Sequence, residues 1–273
     1  MQLSNLFLAG ILSTLTITAC APSAQFSGSE IQSTGDGIIG GWEAQQGDKI
    51  QESIVAVYDT MGGQLCTGSL LPNNIVLTAA HCIGSDPQAM FIIFDTKVAA
   101  KSIRRTVDKA VVSPFWASRQ AEDLDTGDIA LIHFAGSLPR GYKPATFVGT
   151  SERKLLKAGA EVVLAGYGIS NGVTGDGAGV LRVTKVKIED PKFSTSEITL
   201  NQTQGTGACH GDSGGPAYVQ VNGHYYLWGV TSRGVQDESN DCSKLSAYTN
   251  AAYYKAWITK TATKLSSSLV NAL

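Results

Sequence analysis

Apolar and polar positions along the chain fall into short runs separated by turn residues. Such runs span Ser53–Asp59, Gln64–Leu71, Asn74–Ala79, Met90–Asp95, Asp128–Phe134, Glu161–Tyr167, Leu181–Ile188, Pro216–Val221 and Tyr225–Thr231. Short apolar or alternating runs bounded by turn signals read as strands, and their even spacing predicts a sandwich or barrels. Asn222-Gly223 lies between two apolar arms and predicts a tight hairpin. One long helical pattern stands near the end, over 251–265, with Tyr254, Trp257, Ile258 and Thr261 on one face. The pattern predicts an all-β chain with a C-terminal helix and no internal repeat.

Composition narrows the function classes. The 273 residues are 43% hydrophobic and 16% charged, apolar enough for a sizeable core and too apolar for disorder. Thirty glycines against eight prolines fit many tight turns. A net charge of −2 gives no electrostatic reason to expect nucleic acid. No apolar run reaches the roughly 18 residues of a membrane-spanning helix.

The first segment reads as an address. Leu6 to Ala19 is mostly apolar and ends in Ile17-Thr18-Ala19-Cys20, as a secretory signal does before its cut site. This ending resembles the lipobox of bacterial lipoproteins, in which the cysteine carries lipid. Residues 1–19 are thus expected to be a signal, and Cys20 a lipid anchor. Ala21 after it resembles the outer-membrane type. Residues 20–37, rich in Ser, Gly, Gln and Thr, read as a tether. Setting Cys20 aside leaves four cysteines, Cys66, Cys82, Cys209 and Cys242, in a compartment where disulfides persist. Four cysteines allow three pairings. No Cys-x-x-Cys spacing points to zinc.

Three segments carry chemistry. Thr78-Ala79-Ala80-His81-Cys82 puts an imidazole after an apolar strand. Asp128-Ile129-Ala130-Leu131-Ile132 puts a carboxylate at the head of a strand that should be buried. Cys209-His210-Gly211-Asp212-Ser213-Gly214-Gly215-Pro216 puts a hydroxyl in a glycine-rich loop. A hydroxyl is a poor nucleophile at neutral pH, so an imidazole must take its proton and a buried carboxylate must hold the imidazole's tautomer. Glycine beside the nucleophile lets backbone N–H groups turn toward a developing oxyanion.

These motifs, in the order His, Asp, Ser, resemble the trypsin/chymotrypsin family of serine endopeptidases from Ile38 to about Ile258. The resemblance implies two six-stranded antiparallel β-barrels, the first over 38–145 and the second over 146–250, followed by the helix of 251–265. It implies His81 as general base and acid, Asp128 as its orienting partner and Ser213 as nucleophile. The N–H groups of Gly211 and Ser213 would form the oxyanion hole, and the disulfides would be Cys66–Cys82 and Cys209–Cys242. Gly37-Ile38-Ile39-Gly40-Gly41 looks like the family's activation junction, where the freed ammonium of Ile38 would pair with Asp212. On that reading 20–37 is a pro-segment, and the cut severs the lipid anchor, so a precursor at the outer membrane or in the periplasm yields a secreted enzyme. Gly37 departs from the Lys or Arg usual before the cut, which argues for a separate activating protease.

The resemblance also locates a substrate pocket. Gly207 stands where trypsin-like members place an Asp, so apolar side chains of small to medium size are expected. Ser232 and Gly234 would pair with substrate backbone. Arg233 replaces the usual Trp, Ser246 sets pocket depth, and His210 lies at the mouth. His133 reads as structural and His224 as solvated. The stretch from Asp95 to Lys109 has no Glu, so neither a metal nor another cofactor is expected. The expected partner is a polypeptide substrate, with a monomeric enzyme and membrane contact only through lipid on Cys20. Two alternatives share these residues: a surface-tethered, non-catalytic binding module on a protease scaffold, and an esterase or a protease restricted to one protein partner.

Overall fold

A computed structural model describes residues 38–270. The signal, the tether and Cys20 fall outside the described residues. Six strands form the first closed barrel: β2 (Ile54–Asp59), β3 (Gln64–Leu71), β4 (Ile75–Thr78), β5 (Met90–Phe94), β6 (Ile103–Val112) and β7 (Ala130–Phe134). They are ordered β2-β3-β4-β7-β6-β5, every pair antiparallel. The second barrel uses β9 (Glu161–Gly166), β10 (Arg182–Asp190), β11 (Glu197–Asn201), β12 (Pro216–Val221), β13 (His224–Val235) and β14 (Leu245–Asn250). Antiparallel pairing of β9 with β10, from Arg182↔Gly166 to Lys187↔Glu161, closes it. Two-residue strands β1 (Trp42–Glu43) and β8 (Thr146–Phe147) are added on β10 and β13.

The sequence accounts for much of this locally. Ile, Val and Leu dominate β2, β4, β7 and β9, whose side chains are nearly all buried, as β-branched residues favour a packed, pleated surface. Asn222 and Gly223 both have positive φ, at 50° and 76°, between paired Val221 and His224. That is the two-residue turn whose twist matches its strands. Two buried apolar clusters fill the barrels, the second built around Trp228, Leu164, Leu200 and Tyr248. The disulfides are Cys66–Cys82, joining β3 to the segment after β4, and Cys209–Cys242.

The C-terminal helix runs over Lys255–Val270 and not from 251. Asn250 Oδ1 accepts the Ala252 N–H at 3.1 Å, and the Asn250 carbonyl accepts Tyr253 N–H at 3.0 Å, so 251–254 close a turn first. Side chains of Asn compete with helical hydrogen bonding in this way. Tyr254, Ile258, Thr261 and Leu265 then form the buried stripe.

Candidate active site

The cleft between the barrels collects residues from both. His81 lies in a single turn, Ala80–Cys82, directly after β4, and the Cys66–Cys82 disulfide ties that turn to β3. Asp128 stands two residues before β7, with its side chain 3% exposed. Its Oδ2 lies 2.8 Å from His81 Nδ1, and its Oδ1 accepts the His81 backbone N–H at 3.1 Å. Ser232 of β13 donates its hydroxyl to the same Oδ2 at 2.7 Å, and Thr249 of β14 donates to the Asp128 carbonyl at 2.9 Å. A first-barrel carboxylate is thus oriented partly by the second barrel.

Ser213 sits on the loop between Cys209 and β12. It lines a cavity of about 270 Å³ together with His81, Gln202, Ala208, Ser232 and Arg233. Gly211 (φ 95°) and Gly214 (φ 80°) take left-handed conformations. A Cβ on Gly211 would lie 2.8 Å from the Gly168 Cα, and one on Gly214 would lie 2.0 Å from the Thr78 hydroxyl. Both positions therefore require glycine. The loop is pinned by its own carbonyls: Ile169 N–H donates to His210 at 2.8 Å, and Thr67 Oγ1 donates to Gly211 at 2.9 Å. In a trans peptide N–H and C=O point opposite ways, so the Gly211 N–H is turned away from Ile169.

Asp212 is buried on the far side of the loop. Its Oδ1 accepts Gly168 N–H at 2.8 Å and its Oδ2 accepts Cys209 N–H at 2.8 Å. Burial pushes its carboxyl up to about 7, against the opposing effects of those two N–H donors and the Arg182 charge. Ile38 is fully buried in the second barrel's apolar cluster, and its neighbour Ile39 bridges to Gly207.

Arg233 turns its guanidinium onto Glu197 of β11, with Nη1 donating to Oε1 at 2.8 Å and Nη2 to Oε2 at 3.0 Å. Nη2 also donates to the Asp123 carbonyl at 2.5 Å. Buried Glu197 further accepts Asp125 N–H at 3.1 Å and the Thr126 hydroxyl at 3.0 Å. The segment leading into Asp128 is therefore docked on the same carboxylate.

The chain matches the family model described as Trypsin over residues 38–258. It belongs to the trypsin family. Relatives of this trypsin-family chain include chymotrypsin-like elastase family member 1 of Macaca fascicularis, 29% identical over 82% of this chain and 89% of that protein. The human protein of the same name is 28% identical over 84% and 93%. The CLIP domain-containing serine protease B4 of Anopheles gambiae is 28% identical over 82% and 69%. The chain is accordingly a serine endopeptidase of the trypsin/chymotrypsin type, a hydrolase acting on polypeptides.

Within this trypsin-family frame, His81, Ser213, His210, Ser232, Arg233, Gly234 and Ser246 all line one cavity, whereas Gly207 does not. Gly207 instead donates its N–H to the Ile39 carbonyl at 3.0 Å. His210 is exposed at the rim, its Nε2 3.3 Å from the Asn240 carbonyl. His133 is buried with Nδ1 2.7 Å from Asp108 Oδ1, and His224 is exposed. Among the described residues, two clusters combine a histidine with a cysteine pair, but their sulfurs are joined in disulfides and offer no thiolate to a metal. Sequence reasoning missed Glu197, Thr126, Thr67 and Gln202. None lies in a motif, and each acts through partners distant in sequence.

Proposed function

We propose that this trypsin-family enzyme hydrolyses peptide bonds through an acyl-enzyme formed on Ser213. Ser213 Oγ attacks the scissile carbonyl carbon while His81 Nε2 takes its proton. The N–H groups of Gly211 and Ser213 meet the developing oxyanion. Collapse breaks the C–N bond, the leaving amine takes the proton from His81, and an ester remains on Ser213. Water then gives a proton to His81 and attacks the ester, freeing the acid and restoring the Ser213 hydroxyl. Asp128 holds Nδ1–H throughout and stabilises the imidazolium. The observation that carries this reading is the 2.8 Å contact of Asp128 with His81, which lines the same cavity as Ser213.

The enzyme is made as a zymogen, cut before Ile38 by another protease. Buried Asp212 supports this, because its two N–H donors and the Arg182 charge together still leave the carboxyl raised, and an adjacent cation would relieve the cost of burial. The pocket prefers apolar side chains. Residue 207 brings no carboxylate, and the cation lining the cavity, Arg233, is already paired with Glu197. If arginyl substrates outpace leucyl ones, this preference is wrong. The precursor is exported with lipid on Cys20 and released by the activating cut; its two disulfides fit an oxidising compartment.

The deciding experiment is intact-mass analysis of the exported protein after treatment with a serine-directed fluorophosphonate, with Ser213→Ala as control. One adduct on chains beginning at Ile38, absent from the variant, is expected. No adduct on such chains would overturn the catalytic reading in favour of a binding module.

A further inference from the structure

Gln202 follows β11 directly and stands five residues ahead of Gly207. The residue is 2% exposed, yet its side chain lines the cavity that holds Ser213. Its amide is engaged at both ends. Oε1 accepts Ala208 N–H at 2.9 Å, and Nε2 donates to the Ala208 carbonyl at 3.0 Å and the Cys242 carbonyl at 2.8 Å. An amide nitrogen has two protons to donate, and both are committed. Those bonds join the nucleophile loop to the opposite wall, where Cys242 is itself fixed by its disulfide to Cys209.

The same side chain fills the space in front of Gly207. A Cβ on Gly207 would lie 2.2 Å from Gln202 Cδ and 2.5 Å from both Cγ and Oε1. No side chain can stand at 207 while Gln202 is in place, and it is Gln202 that faces the cavity.

We propose that Gln202 is the floor of the specificity pocket and limits it to short, uncharged side chains, up to leucine in size. The proposal rests on the reading of Ser213 as nucleophile and of its cavity as the place where the substrate side chain enters. An amide with both donors committed offers nothing to a carboxylate and no charge to a cation. A charged side chain reaching this floor would lose water without replacement. A long aromatic side chain would meet the amide itself. Asp237, the one carboxylate lining the cavity, belongs to the half-exposed wall at 235–241. It accepts Cys242 N–H at 2.9 Å and the Ser239 hydroxyl at 3.3 Å; its charge disfavours acidic side chains, so the exclusion of basic ones rests on Gln202 alone.

The test compares kcat/KM for peptide anilides with Ala, Leu, Phe or Arg before the scissile bond, on exported enzyme whose sites are counted with a fluorophosphonate. The unmodified enzyme is expected to favour alanyl and leucyl over phenylalanyl substrates. Gln202→Ala removes the floor and should raise the Phe-to-Ala ratio at least about tenfold. Gln202→Glu keeps the acceptor for Ala208 N–H but turns a second oxygen toward two carbonyls. A guanidinium relieves that repulsion, so the Arg-to-Leu ratio should rise about a hundredfold. An unmodified enzyme that takes no fluorophosphonate adduct fails on the reading of Ser213, and this inference falls with it. One that reacts but prefers Phe over Ala, or variants that fold and keep the parent ratios, would overturn the role of Gln202 alone. If neither variant folds, a parent preference for Phe over Ala still overturns the proposal.

Discussion

The Asp128 carboxylate receives three hydrogen bonds, from the His81 backbone, the His81 ring and the Ser232 hydroxyl. These fix the carboxylate so that one oxygen faces Nδ1, which leaves Nε2 for the proposed proton transfer from Ser213. Asp128→Asn keeps the volume but puts a donor or a weaker acceptor against the ring, which destabilises the needed tautomer. We expect kcat to fall about 10⁴-fold with the fold intact, checked by steady-state kinetics beside circular dichroism. A loss under tenfold would mean that another group orients the base. Ser232→Ala removes only one of three donors and leaves the His81 contacts. Hydrogen bonds to charged groups contribute about 1.5–3 kcal/mol, so kcat should drop roughly ten- to hundredfold while the variant still takes the fluorophosphonate. An unchanged kcat would show that the Ser232 contact contributes nothing to catalysis.

At the scale of strands and loops, the Arg233–Glu197 pair joins β13, β11 and the segment before Asp128. The Glu197 side chain is fully buried and that of Arg233 27% exposed. Removing the cation leaves a buried carboxylate with only uncharged donors. Arg233→Ala should therefore destabilise the protein by about 3 kcal/mol, read as a lower urea midpoint with an unchanged slope. A change within about 0.5 kcal/mol would show the pair to be dispensable. This element also marks the limit of what the sequence made legible. Strands with plain apolar patterns, such as Gln64–Leu71 and Pro216–Val221, matched residue for residue. Three barrel strands escaped, as did the two-residue β1 and β8. In β6, Arg104, Arg105 and Lys109 obscure the alternation, and a bulge between Val107 and Lys109 breaks it. In β11 and β14 the buried residues include Glu197 and Thr249, polar groups made acceptable by partners far along the chain, and Thr199 and Ser246, whose polarity likewise hides the apolar pattern. The candidate triad was legible because its motifs are contiguous and chemically specific. Gln202 and Glu197 were not, because a single polar residue carries no signal until the fold gives it neighbours.

At the scale of the whole molecule, the question is how one cut before Ile38 would change a chain whose two barrels are already closed. In the uncut chain the Ile38 nitrogen is a neutral amide, and burial raises Asp212 from 3.8 to about 7. A carboxyl raised on folding favours the native state while protonated. That contribution is fully present below about pH 4 and is lost as pH rises through about 7. In the cut chain an α-ammonium, charged below about pH 7.7, would pair with the carboxylate and hold its pKa below the unfolded value. The pair's contribution would then be present above about pH 4 and lost as pH falls below it. Melting temperatures of Ser213→Ala protein, uncut and cut, should therefore diverge between pH 4 and 7, with the cut form gaining several degrees over the uncut. For a domain of this size about 1 kcal/mol shifts the midpoint by roughly 2–4 °C. Ser213→Ala prevents self-digestion without touching either partner, and Asp212→Asn in both forms should abolish the divergence. Parallel pH profiles for the two forms would rule out the Ile38–Asp212 pair as the activation device, leaving the Asp128–His81–Ser213 chemistry to stand on its own tests.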